Sequence, residues 1–344
     1  AKYIGPSAFK SCVNLSSIQL SSDLEGIYHY AFDSCTSLTE IPFNVVNNPK
    51  LKFIGNFAFN NCTNMKGSVQ IGDNVSTLGG GAFSGCKNVI EAIITGTDNL
   101  AIGNRVFQDC ESMTSISINN ENLATIPSNF ASGCKKIIKL DLPNSLKEIN
   151  SSAFQNCIGL TSISLPKWIK TIGDSAFEGC KGLNTIGLPD SLSTIGKKAF
   201  KDCVNLCDED RLVIPSTVKE IGSNAFNGCI NISKMKFESM EAPILHSNWL
   251  LEDENVPSST KIEYHFGAKN NYFNANLEQR LDFSKYYDLT DSNVDIEKTS
   301  FNCVQNAEDK IDLVCHVTTN DGASNYVQYS LTPAGELDKM PSWI

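Results

Sequence analysis

The sequence is poor in the residues that usually build a reaction site. Its four histidines, His29, His246, His265 and His316, are scattered and share no metal-ligand spacing. No H-E-x-x-H, G-x-S-x-G, Walker A or C-x-x-C motif occurs, so zinc hydrolysis, serine hydrolysis, nucleotide hydrolysis and dithiol exchange have no carrier. No apolar run approaches the roughly 18 residues of a membrane-spanning helix. Lys and Arg number 28 against 38 Asp and Glu, a net charge of −10, and form no basic block that would neutralise phosphates. These absences predict a chain that is no enzyme, holds no cofactor or metal, spans no membrane here and binds no nucleic acid. Two faint motifs do not change this. "GGG" at 79–81 opens a repeat like any other, and "DSNVDIE" at 291–297 lacks the turn glycine of a calcium loop.

Cysteine, by contrast, is plentiful, with 13 in the chain, and its spacing is regular. An Ile or Leu stands eight residues before a Cys ten times, ending at Cys12, Cys35, Cys62, Cys86, Cys110, Cys134, Cys157, Cys180, Cys203 and Cys229. The steps between these cysteines are 23, 27, 24, 24, 24, 23, 23, 23 and 26 residues, so the eight-residue block is constant and the remainder absorbs insertions. Each unit reads I-G-x-x-A-F-x-x-C-x-x-L-x-x-I-x-L-P-x-x-L-x-x. "LTSISLP" at 160–166 alternates and stops at proline, the pattern of a short strand. Ile172, Ala176, Phe177 and Cys180 fall at i, i+4, i+5 and i+8, one face of a helix. Asn56, Asn104, Ser128, Ser151, Asp174 and Ser223 then read as helix N-caps.

The expected fold is therefore α/β: a right-handed solenoid over 1–240 of about ten 23-residue coils, each one strand and one short helix. The cysteines are expected on the buried face of the helix as small apolar side chains with free thiols. "IPSNFASGC" at 126–134 inverts the usual Ala-Phe order, which predicts looser packing or a shifted helix there. The chain opens inside a repeat, at "AKYIGPSAFKSC", which suggests sequence upstream of it. Beyond the repeats, 241–284 is expected to cap the solenoid with Trp249, Leu250, Tyr264, Phe266, Tyr272 and Phe273. Residues 285–344 read as a small β-rich region with a hairpin turning around 306–310, where Cys303 and Cys315 are candidates for a disulfide.

The repeated "IGxxAFxxCxxLxxIxLPxxL" resembles the BspA-like, or Treponema-type, leucine-rich repeat family, over about residues 1–240. The resemblance implies a leucine-rich solenoid and a cell-surface or secreted, extracellular module for adhesion or protein binding. Its most expected partner is a protein of host or extracellular-matrix type, with a glycan or the cell wall as the alternative. In such a solenoid the residues flanking I-x-L point outward from the sheet. That reading nominates Ser115, Ser117, Lys139, Asp141, Ser162, Ser164, Arg211, Lys234 and Lys236 as a candidate binding face. The competing reading is a merely solvated face, since no aromatic anchor stands among these positions. Trp168 is added from the adjoining loop, where the next repeat has Ser191.

Overall fold

The computed structural model describes residues 1–246 apart from 45 and 207–210. Beyond these it describes the backbone of strands Lys261–His265, Tyr287–Leu289, Thr299–Gln305, Ile311–Thr318 and Ser324–Leu331. Each repeat contributes two parallel rungs. The I-G positions form two-residue strands, of which Tyr3–Ile4, Gly26–Ile27, Phe53–Ile54, Thr77–Leu78 and Ala101–Ile102 pair in order. A second such ladder runs from Thr125–Ile126 to Ile244–Leu245. The I-x-L positions form the other sheets: Gly67–Ile71 with Val89–Ile94, Ser115–Ile118 and Lys139–Asp141, then Ser162–Ser164 with Thr185–Gly187, then Leu212–Ile214 with Lys234–Phe237 and Lys261–His265. In both sets the consensus Ile or Leu points into the core, as the period of two requires.

The segment between Gly and Cys departs from the expected helix, and the described residues contain none. The backbone is left-handed twice per coil, at the residue before Ala and again before Cys: Phe57 (φ 55) and Asn61 (φ 56), or Arg105 (φ 62) and Asp109 (φ 58). Between these points amides alternate in direction. Ala58, Asn60 and Cys62 donate locally, to Gly55, Phe57 and Phe59 carbonyls at 3.3, 3.2 and 3.2 Å. Phe57, Phe59 and Asn61 donate to Gly80, Ala82 and Ser84 of the next coil at 2.9, 2.8 and 2.7 Å. An α-helix would consume every amide internally and leave none for its neighbour. Two chained tight turns instead make a third ladder between coils. The fold is a parallel β-solenoid rather than α/β.

The supposed N-caps serve that ladder too. Asn56 Oδ1 accepts from Gly80 N at 2.7 Å, Asn104 Oδ1 from Ser128 N at 3.1 Å and Asp174 Oδ1 from Lys197 N at 2.8 Å, each one coil away. Just before Cys, Asn61, Gly85, Asp109, Gly133, Asn156, Gly179, Asp202 and Gly228 alternate polar side chain with glycine. A Cβ built on Gly85 (φ +71) would overlap the Asn61 carboxamide, which fills that space from the preceding coil.

Inside, one Phe per coil stacks on the next. Phe32 and Phe59 lie 5.0 Å apart at 4°, and Phe177 and Phe200 lie 5.5 Å apart at 2°. The thiols complete the wiring. The ladder between coils skips the Phe carbonyl, and the next coil's cysteine donates to it. Phe59 O accepts from Cys62 N at 3.2 Å and from Cys86 Sγ at 3.0 Å. The same thiol bond recurs from Cys35 to Cys229, with Ala131 O as acceptor for Cys157. Cys12 is exposed and the other nine ladder thiols are buried and free. Burial pushes the Cys62 thiol up to about 12 and raises Cys86, Cys110 and Cys203 well above their usual range, so the S–H donor keeps its proton.

At 126–134 neither a shifted helix nor loose packing is found. Phe130 and Ala131 are both fully buried, and their backbone keeps the ladder register through Phe107 N to Phe130 O and Ala131 N to Ala153 O, each 2.8 Å. The ring alone adapts, meeting Phe107 and Phe154 edge-on at 86°.

Past Cys229 the strands Ile244–Leu245 and Lys261–His265 add further parallel rungs, so the ladders run beyond the expected boundary at 240. Of the expected cap, Trp249, Leu250, Phe266, Tyr272 and Phe273 lie outside the described residues, and for Tyr264 only the backbone strand is described. In the second unit, Thr299–Gln305, Ile311–Thr318 and Ser324–Leu331 form an antiparallel three-stranded sheet, with the expected hairpin between the first two. Its register sets Cys303 opposite Leu313 and Cys315 opposite Phe301. The two cysteines are thus diagonal rather than opposed, and their side chains lie outside the described residues.

Two substitutions probe this packing. Cys110→Ala removes a buried donor and its volume, and is expected to destabilise by about 1–3 kcal/mol in urea unfolding. The double change Phe130→Ala/Ala131→Phe restores the consensus order, and the recovered stack is expected to raise the unfolding free energy by about 0.5–1.5 kcal/mol, seen as a higher urea midpoint. A lower midpoint would mean the edge-on ring already suits its coil.

Candidate functional site

The nominated sheet residues separate into three groups. In the first, register places Ser115 between Glu91 and Lys139, and Ser117 between Ile93 and Asp141. Ser115 Oγ donates to Glu91 Oε1 at 3.3 Å, Ser117 Oγ donates to Asp141 Oδ2 at 2.9 Å, and Lys139 Nζ lies 2.8 Å from the same Asp141 oxygen. The Lys139 ammonium, aided by the Ser117 hydroxyl, holds the Asp141 carboxyl below the usual carboxylate range. Asp141 in turn raises Lys139. The group is a polar, charge-paired patch on an exposed sheet, knitted by its own side chains.

Ser162 and Ser164 form the second group. With Leu165, Lys167, Gly187 and Asp190 they line a shallow, open depression of about 640 Å³. Arg211, Lys234 and Lys236 form the third, all half-buried, with Lys236 Nζ 3.5 Å from Glu238. Two strands intervene between this basic end and Lys139–Asp141, a separation of about 14 Å at ordinary strand spacing. Among the described residues no group of three His, Cys, Asp or Glu side chains is placed to hold a metal ion, and no helix is long and apolar enough to cross a membrane.

Trp168 borders the depression through Lys167, whose ammonium sits 5.0 Å from the indole. The indole is 55% exposed. At this loop position other coils carry a short side chain that ties the coils together. Ser145 Oγ donates to Leu123 O at 2.7 Å, Ser191 Oγ to Lys167 O and Ile169 O at 2.8 and 2.7 Å, and Thr217 Oγ1 to Leu192 O at 2.7 Å. An indole cannot reproduce that bond, so this coil gives up a tie and exposes a large aromatic.

A second aromatic concentration escaped the sequence reading. At the surface of the first three coils, Tyr3, Tyr28 and Phe53 contact one another and, beside them, Tyr30 stacks on Phe57, away from the I-x-L sheet. Their spread over three repeats, at three different consensus positions, hides them from a scan of any one column. The visible signal was "GIYHYAF", where tyrosine replaces the consensus glycine.

Comparison with known proteins places these features. A model of the BspA type leucine rich repeat region matches residues 2–100, 43–161 and 147–268, in six copies. Among solved structures, the chain is similar to a leucine rich cell surface protein of Faecalibacterium prausnitzii, at 20% identity over 76% of each chain and a TM-score of 0.41. It is likewise similar to the pneumococcal vaccine antigen PcpA, at 17% identity over 80% of this chain and 79% of that one, TM-score 0.42. A Treponema pallidum leucine rich repeat protein is 22% identical over 55% of this chain and 84% of that one, TM-score 0.32. No curated protein matches the chain.

Trp168→Ser should regain the missing tie, to Leu146 O by analogy with Ser145 and Leu123. The expected result is an unfolding free energy in urea unchanged or raised by about 0.5–1.5 kcal/mol. A marked loss of stability would make the indole a structural residue.

Proposed function

Because the chain belongs to the BspA-type leucine-rich repeat family, we propose that it is a non-enzymatic cell-surface or secreted module that binds a protein of host or extracellular-matrix type through its solenoid. The observation that carries this reading is Trp168, an exposed aromatic set beside a shallow depression and the polar sheet face. Exposed tryptophan ringed by polar groups is the usual composition of a protein-binding hot spot. The sheet face supplies complementarity on either side: the Ser115–Asp141 patch, the depression at Ser162 and Ser164, and the basic end at Arg211, Lys234 and Lys236. Their shallow geometry suits a broad macromolecular contact and not an enclosed small ligand.

The intact chain should be screened against purified extracellular-matrix proteins and a matched glycan panel, beside Trp168→Ala, Lys139→Glu and Lys234→Glu. Protein hits weakened about tenfold or more by Trp168→Ala, and less by the charge reversals, are expected. Glycan hits lost with Trp168 would replace this reading by polysaccharide recognition.

A further inference from the structure

The aromatic cluster of the first three coils is built at a conformational cost that the fold does not require. Tyr30 (φ 57) and Phe57 (φ 55) are bulky aromatics in the left-handed region. Their column elsewhere carries Ser7, Gly81, Arg105, Asn129, Ser152, Ser175, Lys198 and Asn224. A bulky residue with positive φ is strained, and such strain persists where a site uses it. Tyr30 and Phe57 stack at 5.4 Å and 10°, and the Phe57 ring lies against Gly81, where a Cβ would collide with it. Beside them Phe53 covers Gly26 and stacks on Tyr3 at 6.4 Å and 21°, while Tyr28 meets Phe53 edge-on at 5.0 Å. Tyr3, Tyr28 and Tyr30 remain 48%, 37% and 37% exposed.

The geometry points to a protein-docking surface for an acidic segment carrying an apolar anchor. Two observations select that partner. First, the faces of Tyr30, Phe53 and Phe57 are already engaged. Lys10 Nζ sits 4.7 Å over Tyr30, Phe57 takes its other side, and Phe53 lies between Gly26 and its tyrosine neighbours. The cluster offers ring edges and tyrosine hydroxyls, the rigid amphipathic contact area of protein paratopes, and not the open faces on which sugars stack.

Second, the rim is cationic in a chain of net charge −10. Lys2, Lys10, Lys50 and Lys52 face Asp23, Glu25 and Asp33, and Glu25 alone serves two lysines, at 3.1 Å from Lys2 and 2.9 Å from Lys52. One positive charge is left over, and all four lysine side chains are about half exposed or more, from 48% at Lys10 to 67% at Lys2. Glu40 sits on the other ladder, where its backbone pairs with that of Lys66. Charge complementarity at such a rim speeds encounter with an acidic partner and disfavours a basic one.

The test uses defined synthetic peptides on the full chain: acidic peptides with Leu, Phe or Tyr anchors, the same peptides with Lys for each acid, and a glycan panel. It runs on the parent, on Tyr30→Gly/Phe57→Gly, on Lys10→Glu/Lys52→Glu and on Trp168→Ala. Glycine relieves the left-handed strain while deleting both rings, so the first double variant separates function from folding. Expected are a preference for acidic anchored peptides, a loss of about tenfold or more in the glycine variant at an unlowered melting temperature, and a loss in the charge-reversed variant. Trp168→Ala should bind these peptides normally, which separates this surface from the sheet-face site. Binding without charge preference, binding to glycans instead, absence of peptide binding, or a melting temperature that falls with the rings would each overturn the proposal.

Discussion

The structure depends on one requirement: the coil is repeated, so every polar group left unpaired in one coil is left unpaired in all. In the turn between Gly and Cys half the amides close local turns and half reach the next coil, leaving the Phe carbonyl outside the amide ladder. The cysteine thiol of the following coil meets that carbonyl, at 3.0–3.3 Å along the column. Serine would carry a similar donor but a more strongly hydrated hydroxyl into a fully apolar column, and alanine would carry none. Cysteine is the small side chain that is both apolar enough to be buried and able to donate.

From that arrangement several features follow together. The backbone can deliver alternate amides to its neighbour only by turning left-handed at two points four residues apart, which places Asn, Asp, Gly or Ser at most of them. Those residues are then close enough between coils to trade space, as Asn61 and Gly85 do. Phenylalanine rings, carried at a fixed offset from the cysteines, have no choice but to stack. The 126–134 coil shows how stiff the backbone term is relative to the side chains. Exchanging Phe and Ala leaves every ladder bond in place and turns only a ring.

Much of this was legible in the residues. The period, the buried Ile, Ala, Phe and Cys columns, the I-x-L strands and the C-terminal hairpin all follow from spacing alone. The helix did not survive, for a physical reason. Apolar residues at i, i+4, i+5 and i+8 describe one buried face, and two chained turns present that face as well as a helix does. The discriminating signal was Asn, Asp or Gly just before eight of the ten ladder cysteines, where a helix interior disfavours them. The thiol's role as donor was also hidden, because side-chain spacing says nothing of which carbonyl the amides of the adjacent coil pass over. For the candidate site, the outward sheet residues were legible as positions but not as a site, since their grouping depends on where the sheet breaks. Trp168 was visible as an anomaly. The Tyr3–Phe57 cluster was not, because it assembles across repeats.

Function on such a scaffold is confined to what the repeat does not need. The buried columns are occupied by packing and hydrogen bonding, and burial holds the Cys62, Cys86, Cys110 and Cys203 thiols protonated. What varies freely is the surface, and there the exceptions to the consensus gather. The central claim, that buried thiols are the donors joining successive coils, is tested most directly by the Raman S–H stretching band of the native chain. The account predicts a band shifted to lower frequency by S–H···O=C bonding, returning to the free-thiol position on unfolding and weakened in proportion by Cys110→Ala. An unshifted band in the native chain, or the absence of a thiol band, would contradict it.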